Sequence, residues 1–222
     1  MVPVFNTVDY LDKKAYKDYF LSEELLMEHA ALGIKKVIDE IADKTKKVFI
    51  ACGCGNNGAD GIALARLLLC DGYNVMIFLP FGAKSQMAQL QLQRVSALGI
   101  EIADEIKECD IVIDALFGSG LNKQLDTKAK DIIDRLNSLD AVKISCDFPS
   151  GLFANGAFDK VFLPNITVSM GALKLAYFYD KTKDICKKII NVNLGLPFEK
   201  YTDNSNFFLL EKSDMQLPNR IK

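Results

Sequence analysis

Val48-Phe-Ile-Ala-Cys52 runs directly into Gly53-Cys-Gly-Asn-Asn-Gly-Ala-Asp-Gly61, and a helical apolar pattern follows at once. The first run is continuous in apolar residues rather than alternating, as in strands covered on both faces, which points to a parallel sheet between helix layers. Glycines let the backbone turn and approach a ligand closely. A helix starting in such a loop offers free N–H groups and a partial positive charge to a phosphate. The spacing of Gly53, Gly55 and Gly58 matches dinucleotide loops, but no acid closes the next apolar run, Asn74 to Pro80, where a ribose anchor belongs. Asn57 is expected to offer a side-chain carbonyl, and Asp60 to order the loop through its N–H groups.

The same alternation continues outward. Strands are predicted over Val75–Pro80, Ile111–Ala115, Val142–Cys146, Ile166–Ser169 and Ile189–Val192. Helices are predicted over Asp60–Asp71, Ser85–Leu98 and Thr127–Ser138, with Gly72 and Gly99 as stop signals. A repeated β-then-α order of this kind makes an open α/β sandwich. Upstream, about Val8 to Ala42 is helical with a break near Leu21–Ser22, where Ser22 followed by Glu23 and Glu24 is the expected N-cap. Downstream, Phe207–Leu210 reads as one more short edge strand. One domain, residues 1–210, with a tail over 211–222, is the simplest organisation.

The 222 residues are 50% hydrophobic and 25% charged, the composition of a globular core. With 27 basic against 29 acidic residues, the net charge of -2 gives no reason to expect nucleic acid or an acidic membrane surface. His29 is the only histidine, so a multi-histidine metal site is excluded. The opening MVPVFNTVDYLDKK lacks the apolar stretch of a signal peptide, and no apolar run reaches the roughly 20 residues that span a bilayer. The six cysteines form no CxxC pair and mostly sit in or beside apolar segments, so a reducing, cytoplasmic setting is expected.

Ligands of open parallel sheets bind at the carboxyl ends of strands. Three further ends carry unusual residues. Asp114-Ala-Leu-Phe-Gly-Ser-Gly-Leu121 closes one strand, Asp147-Phe-Pro-Ser-Gly151 another, and Met170-Gly-Ala-Leu-Lys174 a third. Asp114 serves as a site carboxylate or as a loop cap, and Lys174 meets a phosphate or solvent. Asn57, Asp114 and Ser150 supply oxygen donors that suit a hard cation better than a soft metal.

With these motifs in order, the chain resembles the YjeF N-terminal domain family of NAD(P)H-hydrate epimerases. The family loop GxGNNGGDG is matched by Gly53 to Gly61, with Ala59 in place of a glycine. Further matches are Asp114 to Leu121, Asp147 to Leu152, Leu26-Met-Glu-His-Ala30 and Thr167 to Lys174. Ala59 is tolerable unless that position needs positive φ. The resemblance implies a Rossmann-like three-layer αβα sandwich with a mostly parallel central sheet. It also implies interconversion of the R and S hydrates of NADH and NADPH, a nucleotide repair reaction, with a bound potassium ion and a homodimer. Carried over by position, the substrate contacts are Asn56, Asn57, Gly58, Ala59 and Asp60, then Gly118, Ser119, Gly120, Leu121, Asn122, Lys123 and Gln124, and Asp147. The potassium ligands are Asn57, Asp114 and Ser150. Leu217-Pro-Asn-Arg-Ile-Lys222 resembles the opening of the dehydratase domain that follows in bifunctional members, which implies a longer native protein.

Loss of hydroxide from the hydrate gives a nitrogen-stabilised cation to which water returns on either face. A carboxyl that protonates the leaving hydroxyl would speed this. Asp147 is the first candidate and Asp114 the second, while His29 reads as structural. A non-catalytic nucleotide-binding or protein-scaffold module using the same pocket is the alternative, and a dehydrogenase is a weaker third reading.

Overall fold

The computed structural model describes residues 1–215. Its centre is a sheet built from β2 (Lys47–Cys52), β3 (Asn74–Phe78), β4 (Glu101–Ala103), β5 (Ile111–Ala115), β6 (Val142–Cys146), β7 (Ile166–Met170) and β9 (Lys188–Val192). The order is β4-β3-β2-β5-β6-β7-β9, and every neighbouring pair is parallel. Six of these seven strands were predicted, four of them as nearly continuous apolar runs, and β5 and β6 have the predicted bounds. The chain winds from β2 through β3 to β4, then returns to β5 on the other side of β2. The strand order therefore reverses between β2 and β5, and a crevice opens outside their carboxyl ends.

Side-chain alternation divides the core into two. Val48, Ile50 and Cys52 face α2 (Glu23–Ile41), α3 (Asn56–Cys70) and α4 (Gln86–Ala97); Phe49 and Ala51 face α5 (Thr127–Ser138) and Phe162. Three layers result. The caps lie where the sequence places them: Ser22 Oγ accepts from Leu25 N at 3.2 Å and Ser85 Oγ from Ala88 N at 3.1 Å. A separate helix, α1 (Asp9–Tyr19), precedes α2 and ends at Phe20 with φ +57°.

A second sheet of three strands differs from expectation. β1 (Val2–Phe5) pairs antiparallel with β10 (Phe207–Leu209) and parallel with β8 (Leu173–Lys174). The run at Phe207 is thus an edge strand, but not of the main sheet. Val2 lies opposite Leu209, so this sheet ties the two ends of the described chain together and holds β8 beneath the crevice. The expected dehydratase-like opening, residues 217–222, lies outside the described residues. Among the described residues no helix is long and apolar enough to cross a membrane. All six cysteines are free thiols; Cys52, Cys146 and Cys186 are buried, while Cys70 is exposed at the end of α3.

Candidate active site

The crevice is a cavity of about 650 Å³. Its floor is formed by the loop after β2, the loop after β5, Asp147 after β6, and Met170 with Lys174. Its other wall comes from α1 and α2, through Asp9, Asp12, Tyr16, Glu23 and Met27, and from Tyr201 of the short α7 (Phe198–Tyr201), which follows α6 (Lys183–Cys186).

Steric necessity explains the glycine loop. A Cβ on Gly53 would lie 1.8 Å from the Leu116 carbonyl oxygen, and one on Gly58 would lie 1.9 Å from that of Gly53. Only glycine lets the two loops close on each other this tightly. Ala59, by contrast, sits inside α3 without positive φ and is fully buried, so the departure from the family pattern is accommodated. Gly58 and Ala59 lie under the cavity rather than on its surface, whereas Asn56, Asn57 and Asp60 line it. Asp60 accepts no hydrogen bond from any described residue, so its expected loop-ordering role is replaced by a position on the cavity wall. Gly118 through Lys123 also line the cavity; exposed Gln124 does not.

Asp147 is the centre of the floor. Its φ of +63° is unusual for a residue with a side chain, although aspartate enters this region more readily than most. The conformation is held by Asp147 N donating to Val168 O at 2.9 Å and by Tyr177 Oη donating to Asp147 O at 3.0 Å. Asp147 Oδ1 accepts from Met170 N at 3.0 Å and forms an ion pair with Lys174 Nζ. Lys174 is 1% exposed and donates also to Met170 O at 2.8 Å and Ser169 Oγ at 3.3 Å. Neither a phosphate-contacting nor a solvated lysine fits this burial. Sequence reasoning missed the pairing because the partner lies 27 residues away.

Asp114 takes the other place the sequence left open, because its carboxylate fastens two loops. It accepts from Ser150 N at 2.7 Å, Ser150 Oγ at 2.6 Å and Leu116 N at 3.3 Å. Burial pushes its carboxyl up to about 6 against the hydrogen bonds from Ser150 and Leu116. Asp114 is wholly buried and does not line the cavity, so of the two expected acids only Asp147 faces it. His29 is exposed on α2 beside Gly195 and is likewise not part of the cavity wall.

The donor set expected for potassium fits a cation. Phe117 N donates to Ser150 Oγ at 2.9 Å, and Asn57 packs against Gly118, so Asn57, Asp114 and Ser150 converge on one short segment. The buried Asn57 side-chain nitrogen has no hydrogen-bond partner among the described residues, and its amide carries an oxygen at the same site if rotated. Asp114 has no cationic side chain against it among the described residues. One carboxylate with amide and hydroxyl oxygens suits a large hard ion. No cluster of three or more His, Cys, Asp or Glu capable of holding a metal is found among the described residues.

Five carboxyl groups line the cavity, Asp9, Asp12, Glu23, Asp60 and Asp147, against two ammonium groups, Lys123 and Lys174. Burial, and then the charges of Asp147, Asp12 and Glu23, hold Asp60 well above the usual carboxyl range. Burial also raises Asp12, partly offset by the Tyr201 hydroxyl donating to its Oδ1 at 2.7 Å and by the charge of Lys174. Asp12, Tyr16, Glu23 and Tyr201 were not expected as site residues; no local pattern marks them.

A doubly wound α/β sandwich with an acid-lined crevice at its strand-order reversal defines a class of small-ligand-binding proteins. Within that class, residues 23–176 match the family described as YjeF-related protein N-terminus, and the chain belongs to it. The bifunctional NAD(P)H-hydrate repair enzyme Nnr of Helicobacter pylori is 37% identical over 228 residues, covering 99% of this chain and 48% of that protein. The chain thus spans about half the length of that relative. The NAD(P)H-hydrate epimerase of Elusimicrobium minutum is 34% identical, covering 85% of this chain and 93% of that protein. The crystal structure of yeast ynu0 has the same fold, with a TM-score of 0.77 at 20% identity over 96% of this chain and 98% of that one.

Proposed function

We propose that this chain interconverts the R and S hydrates of NADH and NADPH, as the names of its relatives indicate for them. The observation that carries this reading is the excess of carboxyl groups around a cavity at the sheet's reversal point. Protonation of the hydrate's hydroxyl breaks the C–O bond, the electron pair leaves with water, and a ring-nitrogen-stabilised cation remains. Carboxyl groups fixed around the ring, some ionised and some neutral, lower the energy of that cation and supply its proton. A pure nucleotide-binding module gains nothing from them, and the dinucleotide's own phosphates are repelled.

Asp147 fits the accepting side of this chemistry. Ion-paired with Lys174, it is fixed on the cavity floor, where it stabilises the cation and takes the proton of the returning water. That differs from the general-acid role expected from the sequence, and the physical reason is the buried ammonium against Oδ1. The phosphates lie against the first turn of α3, where free N–H groups and the helix dipole favour anions, and along the Gly118–Lys123 loop. Asn57, Asp114 and Ser150 would hold a potassium ion beside that loop, and the ion would supply positive charge to offset phosphate. Asp114, which does not line the cavity, would serve as a ligand to that ion rather than as the catalytic acid.

Chiral-resolving chromatography of the two hydrates tests the reading. Wild-type protein should interconvert them far above the spontaneous rate, and Asp147→Asn should lower the rate by about 10²–10⁴-fold. Near-normal turnover in that variant would remove Asp147 from the chemistry.

A further inference from the structure

We propose that Asp12, on the amino-terminal helix, is the proton donor of the site and works with Asp147 as acceptor. The inference rests on the epimerase reading above.

Acid-promoted loss of hydroxide needs a neutral carboxyl group in the cavity with its proton on an accessible oxygen. Asp147 is paired with an ammonium, and Asp114 does not reach the cavity surface. Asp12 lines the cavity and is half-buried. Tyr201 Oη donates to its Oδ1 at 2.7 Å, while Oδ2 receives no hydrogen bond from any described residue. A neutral Asp12 therefore keeps Oδ1 as the acceptor and carries its proton on Oδ2, the oxygen left free for a ligand.

The surroundings hold that arrangement in place from both ends of the chain. Lys14 Nζ donates to Thr202 O at 3.1 Å and pairs with Asp203 at 3.2 Å, docking α1 onto the segment that carries Tyr201. The Tyr201 ring in turn lies where a Cβ on Gly171 would come within 2.5 Å, directly after the Met170 that binds Asp147. The charged and titratable groups around Asp12 are Asp9 and Tyr16 on α1, Glu23 on α2, Asp60 on α3, Tyr201 on α7, and the Asp147–Lys174 pair below. Burial and the acidic members favour the neutral form of Asp12; Lys174 and the tyrosine hydroxyl oppose it.

In the forward step Asp12 Oδ2 gives its proton to the substrate hydroxyl, the C–O bond breaks with both electrons going to oxygen, and water departs. In the return step water adds to the cation, the new C–O bond uses an oxygen lone pair, and Asp147 takes the released proton. Solvent exchange resets both carboxyl groups, and no oxidant or further reactant is needed.

The test is the pH profile of hydrate interconversion, corrected for the spontaneous rate at each pH, for wild type, Asp12→Asn, Tyr201→Phe and Asp60→Asn. Wild-type activity should fall as pH rises and Asp12 ionises. Asp12→Asn should lose about 10²–10⁴-fold in rate and lose that alkaline limb. Tyr201→Phe removes a donor that favours the ionised form, so its alkaline limb should move to higher pH. Retention of rate and limb in Asp12→Asn overturns the proposal, as does loss of the limb in Asp60→Asn alone. Equal rate losses in Asp12→Asn and Tyr201→Phe with an unmoved limb would assign both residues to bracing α1, which also overturns it. A wild-type rate equal to the spontaneous one refutes the epimerase reading itself, a result distinct from these three.

Discussion

Replacing Lys174 by methionine leaves the Asp147 carboxylate without its cation. The ammonium is 1% exposed and has three acceptors, Asp147 Oδ1, Met170 O and Ser169 Oγ. Breaking a buried pair by removing one partner typically costs about 3–5 kcal/mol, because the remaining charge is left uncompensated. For a chain of this size each kcal/mol lowers the melting temperature by about 2–4 °C, so the variant should melt about 6–20 °C lower. Asp147→Asn should cost a similar amount, since it strands the lysine; asparagine tolerates the positive φ, so backbone strain does not confound the comparison. The double variant replaces both charges by neutral groups of similar size and should recover much of the loss. Denaturant titrations of the four proteins give the coupling energy directly. Additive effects, or a Lys174→Met cost below about 1 kcal/mol, a typical value for an exposed pair, would refute the buried-pair reasoning.

Further outcomes follow from other contacts. Gly58→Ala would set a Cβ 1.9 Å from the Gly53 carbonyl oxygen, so it should cost about 1–3 kcal/mol and disrupt the loop, read by thermal melting and nucleotide binding. Ala59→Gly, which restores the family residue inside a helix, should instead lower stability by about 0.5–1 kcal/mol. Potassium should raise the melting temperature relative to a bulky organic cation at equal ionic strength, and Asp114→Asn should abolish the difference. Ser22→Ala removes the cap that accepts from Leu25 N and should cost about 1 kcal/mol by denaturant titration.

The main sheet was legible because its strands are buried on both faces, so unbroken apolar runs such as Val48–Cys52 announce themselves. The glycine loops and strand-end acids were legible for a related reason: tight turns and ligand contacts restrict residue type locally. The second sheet was not. Val2 and Leu209 are paired across almost the whole chain, and short, partly exposed strands leave no period to read. Asp12 and Tyr201 were missed on the same ground, since 189 residues separate a hydrogen-bonded pair that only the folded chain brings together. For Lys174 the residue type misled, because lysine is seldom buried unless paired and its partner could not be seen. The position of Asp147 at a strand end was legible, but it does not reveal the ammonium beside it.

The most direct test of the account is hydrate interconversion by this chain in water enriched in oxygen-18. Elimination and return of water require interconversion far above the spontaneous rate, with at least one labelled oxygen entering for each inversion. A rate equal to the spontaneous one, with the nucleotide bound in the cavity, would contradict the epimerase account.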